Sequence, residues 1–221
     1  TIGSGLIYSG LYNSTSGVND LNEFNMAEKI TKSLNPIYGS IQALKTSERN
    51  LTVFSEDKVL KVLANKDAIY NADGNPQLVA TNRVLGDATP YGGDYGISQN
   101  PESLAWDNYR MYFTDKQRGA VLRLSGDGLT PTSDVGMRTY FRERLKLCKT
   151  IVGNFDSVNG EYNITLNTDE KWTQGGTTNP PTTISFNEKS KGWVSFKSFI
   201  PLTGVSVSGK YLTANANKVW E

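Results

Sequence analysis

One unit recurs along the chain and limits what it can become: a strand, a tight polar turn carrying lysine, and a second strand. The copies are NLTVFSEDKVLKVL (50–63), YRMYFTDKQRGAVLRL (109–124), TISFNEKSKGWVSF (183–196) and the shorter KYLTANANKVW (210–220). Their β-branched and aromatic residues suit a pleated, half-buried surface, and Gly and Asn in the turns tolerate positive φ. The centres lie roughly 30 to 70 residues apart, irregular but near the period of a four-stranded propeller blade with insertions. The expectation is an all-β chain of propeller-like blades with one or two short helices; a plain β-sandwich carrying similar hairpins is the alternative. Strands are expected at 40–45, 51–55, 59–64, 103–106, 110–115, 120–125, 161–167, 182–187, 192–199 and 210–215.

Two segments depart from the pattern. DLNEFNMAEKITK, from Asp20 to Lys32, reads as a short helix or an arm, ended by Asn35-Pro36 because the residue before proline avoids helical angles. In VGMRTYFRERLKLCK, from Val135 to Lys149, the apolar residues Met137, Phe141, Leu145 and Cys148 fall at spacings of four, four and three. That makes one stripe on an amphipathic helix. The expected organisation is an N-terminal arm or linker over 1–39 and a propeller-type domain over 40–221, with blades near 40–70, 96–133, 150–199 and 203–221 and a helical insertion at 135–149. The chain begins at Thr1 without methionine and stops at KVWE within what reads as a strand, so it is expected to be a piece of a longer polypeptide.

Composition removes several kinds of chemistry. The 221 residues include no histidine, so the commonest general base, the Ser-His-Asp and Cys-His arrangements and the usual nitrogen ligand of zinc are all missing. The single cysteine, Cys148, has no partner for an internal disulfide and fits assembly in a reducing cytosol. Lys and Arg number 23 against 22 Asp and Glu, a net charge of +1, so any charge-based function must be local. No sustained apolar window reads as a membrane span, and the N-terminus lacks the basic and apolar regions of a signal peptide. No catalytic residue, cofactor or metal is expected.

Local constellations remain. Arg138, Arg142, Lys146 and Lys149 repeat the spacing of the apolar stripe and are expected on one helix face beside it, where they could meet DNA phosphates or an acidic partner. The plainer reading, which takes precedence on sequence alone, is a solvated helix surface. NADGNP (71–76) has the polar density of a calcium loop without its ligand spacing, and YGGDYG (91–96) lacks the lysine of a phosphate-binding loop; both read as turns or flexible connections. Asp94, Glu102, Asp115, Asp127 and Glu188 are the carboxylates from which a hydrolytic pair would have to come, and turn roles are the simpler assignment. Trp106, Trp172, Trp193 and Trp220 are expected to pack between sheets rather than to stack on sugars.

Four long strings resemble a known family: SGLYNSTSGVNDLNEFNMAEKITKSLNPIYGSIQ, VFSEDKVLKVLANKDAIYNADGN, YGISQNPESLAWDNYRMYFTDKQRGAVLRLSGDGLT and SFNEKSKGWVSFKSFIP. They are similar to virion structural proteins of tailed phages, in particular the tail nozzle, or muzzle, proteins of short-tailed, crAss-like phages. The resemblance implies a propeller-containing subunit at the distal end of the tail, in a ring of six copies around the DNA channel. It implies contacts with other phage tail proteins, non-specific contact with phage DNA, no catalysis, and assembly in the host bacterial cytoplasm. In that family the blades belong to a longer chain, so about four blades here imply an incomplete propeller finished by another segment or another chain. Two other classes stay open: a host-surface glycan-binding module of the tail tip, and a metal-dependent propeller hydrolase of the lactonase type, to whose blades MYFTDKQRGAVLRLSGDG bears a distant likeness.

Overall fold

The computed structural model describes residues 3–25, 30–47, 50–70, 76–168, 173–174, 177–178 and 180–221, with side chains outside 65–83 and 169–179. The chain divides into two compact units, Thr1–Asp94 and Tyr95–Glu221. The division falls well after residue 39, where the sequence placed the end of an arm.

In the first unit, β1 (Gly5–Ile7) pairs antiparallel with β2 (Thr31–Ser33). The chain between them holds a small turn in which the Asn13 side chain accepts from Thr15 N–H at 3.0 Å and Gly17 N–H returns to the Asn13 carbonyl at 2.9 Å. No helix occurs among the described residues of the 20–32 segment: 20–25 are turn and coil, and Thr31–Ser33 is strand, while 26–29 lie outside the described residues. Pro36 does not end a helix but opens a 3-10 turn, Pro36–Tyr38, capped by Asn35, whose side chain accepts from Ile37 N–H at 3.1 Å. There follow β3 (Ile41–Ser47), β4 (Asn50–Ser55), β5 (Val59–Tyr70) and β6 (Pro76–Pro90), a four-stranded antiparallel meander in chain order. Its core is Leu34, Val53, Leu60 and Val62, with Leu6, Tyr38, Ile41 and Leu51 packed around them. Residues before 40 thus share the core of this sheet.

The second unit is built the same way, three times over. After a 3-10 turn at Pro101–Ser103 come β7 (Ala105–Trp106), β8 (Met111–Asp115), β9 (Ala120–Ser125) and β10 (Gly128–Pro131), again an antiparallel meander. A 3-10 turn, Thr132–Asp134, leads into the single α-helix, α1 (Arg138–Leu147). A third meander is formed by β11 (Cys148–Asp156), β12 (Glu161–Thr168), β15 (Thr182–Asn187) and β16 (Gly192–Lys197), interrupted by the two-stranded ribbon β13 (Thr173–Gln174) and β14 (Thr177–Thr178). The last sheet has three strands, β17 (Thr203–Val207), β18 (Lys210–Asn215) and β19 (Lys218–Trp220). Among the described residues these antiparallel sheets form no closed barrel and no closed propeller.

The second and third sheets and α1 share one core. Ala105, Tyr112 and Val121 from one sheet meet Ile151, Tyr162, Ile164, Leu166, Ile184 and Phe186 from the other, with Phe141, Leu145 and Cys148 filling the side. Tyr112 stacks on Tyr162 at 4.9 Å and on Phe155 at 5.7 Å, and Phe186 and Phe141 flank Trp193 at 5.3 and 4.5 Å. Each such pair adds about 0.5–1.5 kcal/mol beyond its area burial. β8 is buried at all five positions, which only a strand covered on both faces shows. The fourth sheet joins the third through polar bonds: Gly204 N–H donates to the Asn154 side chain at 2.8 Å and Ser206 Oγ to the Phe155 carbonyl at 3.1 Å.

Candidate interaction surface

Helix α1 is held by the stripe expected from its spacing: Phe141 and Leu145 are fully buried, Cys148 nearly so, and Met137 packs at the margin. It is shorter than the expected 135–149. Residues 135–137 precede it, and Cys148 adopts extended angles (φ −70°, ψ 137°), so the chain passes straight from Leu147 into β11. The physical reason is the β-branched run Thr150-Ile151-Val152, which favours the ladder with β12 over another helical turn.

Arg138, Arg142 and Lys146 are exposed on one face of α1. Lys149, also exposed, is not on the helix; it lies on β11, at a bulge where the register shifts between Cys148 and Thr150. Arg138 shares its charge with Asp134, one turn back, at 3.7 Å. Arg144 takes the opposite flank, donating to the Pro180 carbonyl at 2.8 Å with its guanidinium 6.0 Å from the Tyr140 ring centre.

The tertiary structure adds a residue that helical spacing could not reveal. The β8–β9 turn, Lys116 to Gly119, abuts the backbone of α1. Gly119 has φ +68°, and a β-carbon there would lie 2.5 Å from Cα of Arg142, so only glycine permits the contact. Lys116 is thereby near enough for its charge to act on the Cys148 thiol, which burial pushes up to about 11 against the opposing pull of Arg144 and Lys116. The signal in the sequence was the turn TDKQRG, which as a turn says nothing of what it touches.

The carboxylates are occupied structurally. Asp115, fully buried, accepts from Gly96 N–H (3.2 Å), Ser98 Oγ (3.1 Å), Arg118 N–H (2.9 Å) and Arg118 Nη1 (2.9 Å). Glu188 accepts from Tyr112 Oη and from Arg123 Nη1 at 3.1 Å, with Arg110 Nε at 3.6 Å, so it ties the third sheet to the second. Burial first, and the Glu188 bond second, push the Tyr112 hydroxyl pKa far up. Asp94 pairs with Lys58 at 2.9 Å, both within the first unit; Glu102 is in the 3-10 turn and Asp127 in the β9–β10 turn. No group of three or more Cys, Asp or Glu side chains able to hold a metal occurs among the described residues, and most of NADGNP lies outside them. Trp193 packs between sheets and donates Nε1–H to the Thr132 carbonyl at 3.0 Å, whereas Trp106 and Trp220 are half exposed and Trp172 lies outside the described residues.

What the molecule presents is therefore a set of antiparallel meanders with surfaces for contact. The family model of the Crassvirus muzzle protein matches residues 23–217, nearly the whole chain. The chain belongs to that family. No curated protein sequence matches it. A muzzle-family chain is a structural component of a bacteriophage virion, located in the particle with other phage proteins. Exposed large apolar side chains occur at both ends of the chain, among them Ile7, Phe24 and Ile37 early and Phe196, Val205 and Val219 late. No helix among the described residues is long and apolar enough to cross a membrane.

Proposed function

We propose that this muzzle-family chain is a subunit of a ring at the distal end of the phage tail, around the DNA exit channel, and that it acts in assembly and genome release through its interfaces rather than through catalysis. Its partners are further copies of itself, six to a ring, and the neighbouring tail proteins. The sheets serve as propeller-type blades, near 40–70, 96–133, 150–199 and 203–221, with the helical insertion between the second and third; the ring of blades is completed by another segment or another chain. Arg138, Arg142, Lys146 and Lys149 face a partner or the DNA.

The observation that carries this reading is the family match across residues 23–217. Two features support it. The four larger sheets are antiparallel meanders that follow chain order, the third with a two-stranded ribbon inserted, an arrangement like that of a propeller blade. The exposed β16 and β17 residues Phe196 and Val205 are what an obligate interface covers.

The test is to image intact virions carrying a gold-labelled antibody fragment raised against residues 95–221. Six-fold label at the end of the tail is expected. Label on the capsid, or none on the particle, would refute the assignment.

A further inference from the structure

Lys116, Arg142, Lys146 and Lys149 come from a turn, a helix and a strand, and only the fold brings them to one region. The turn is fixed against α1 at Gly119, and β11 starts one residue after the helix ends. Arg142 and Lys146 are one helical turn apart, about 6 Å along the axis. Neither they nor Lys116 makes an ion pair among the described residues, whereas Arg138 is compensated by Asp134. The buried Asp115 beneath the turn is spent on Arg118 and on backbone N–H groups, so it does not neutralise Lys116.

The composition of this surface distinguishes its partner. No large apolar side chain from 136 to 157 is exposed among the described residues. The core of a protein–protein interface is apolar and poor in lysine, so a protein centred here would have nothing to bury. A phosphate backbone needs no apolar contact and takes most of its affinity from lysine and arginine. We infer that the surface built by Lys116, Arg142, Lys146 and Lys149 binds the phosphate backbone of nucleic acid without regard to sequence. This rests on the reading of the chain as a virion component next to the genome's path, and it settles the choice left open there between DNA and an acidic partner.

The check is a fluorescence-anisotropy titration of the whole chain with a labelled 30-base-pair DNA duplex of arbitrary sequence at several salt concentrations. Three phosphates neutralised by Lys116, Arg142 and Lys146 give a slope of log affinity against log salt of about −2.7, roughly a 40-fold loss between 50 and 200 mM salt. The triple variant Lys116→Glu, Arg142→Glu, Lys146→Glu should weaken binding at least tenfold and flatten the slope. The triple variant Lys189→Glu, Lys191→Glu, Lys218→Glu, equal in net charge and exposed elsewhere, should change binding less than threefold. Should charge reversal unfold the chain by circular dichroism, the glutamine versions replace it, with the same contrast expected. Equal loss in both variants, no DNA binding by the unmodified chain, or poly-glutamate bound as tightly as DNA would each overturn the inference. A null titration leaves the tail assignment standing, since that is decided by imaging; a label absent from the tail leaves the titration standing.

Discussion

Gly153, on β11, lies against the 3-10 turn before β7 so closely that a β-carbon would sit 2.1 Å from the Ser103 carbonyl oxygen and 2.8 Å from the Tyr162 hydroxyl. The obstruction is backbone, which cannot swing aside. Gly153→Ala should therefore destabilise by at least the roughly 1–3 kcal/mol of an overpacked core, seen as a lower midpoint in thermal denaturation. Glu188 is the polar counterpart. Replacing it by alanine leaves the Tyr112 hydroxyl and the Arg123 guanidinium without their acceptor, and about 1–3 kcal/mol should be lost; Glu188→Gln, which keeps an acceptor for Tyr112, should lose less. Cys148 shows a pH dependence. Its folded pKa, about 11, is above the unfolded 9.0, so the folded state holds the proton longer. Stability from this group is full below pH 9 and is lost as pH rises through 11. The raised hydroxyls of Tyr112 and Tyr162 act in the same sense. Urea melts between pH 8 and 11 should show falling midpoints, with a shallower fall in Cys148→Ala; at neutral pH the native thiol should resist alkylation until unfolding.

At the scale of elements, α1 is stable because of what it covers. Its start has no side-chain cap, and its inner positions Phe141 and Leu145 close the side of the shared core. Phe141→Ala should cost about 3–5 kcal/mol and also loosen Trp193, whose ring centre lies 4.5 Å away; near-ultraviolet circular dichroism would report the loss of tryptophan asymmetry. The hairpins were plain in the sequence, since alternation and turn residues act over a few positions. The expected strands at 51–55, 59–64, 110–115, 120–125, 161–167, 182–187 and 210–215 coincide with β4, β5, β8, β9, β12, β15 and β18 to within a residue or two, apart from the longer β5. Harder to see were β6, β10, β11 and β17, outer strands of their sheets whose residues are less regularly apolar.

For the whole molecule, each of the two compact units has a hydrophobic core of its own. Residues 95–221 expressed alone should fold cooperatively, with a β-type circular dichroism spectrum and one denaturant transition; a molten, dye-binding product would show that the core of Tyr112, Phe141 and Tyr162 needs the first ninety-four residues. The candidate surface was only partly readable. Arg138, Arg142 and Lys146 follow from helical periodicity, but Lys116 comes from a turn more than twenty residues upstream, and Lys149 belongs to a strand.

Local patterning alone determined that this chain would be a series of antiparallel hairpins with one amphipathic helix, because side-chain periodicity and turn chemistry are short-range properties, and the order of its long strings carried the family. Which sheets share a core, where the units divide and which cations lie together were decided by tertiary packing. Those outcomes depend on the fit of Tyr112, Tyr162, Gly119 and Gly153 against residues distant in the chain, and close packing of that kind has no signature in a single sequence.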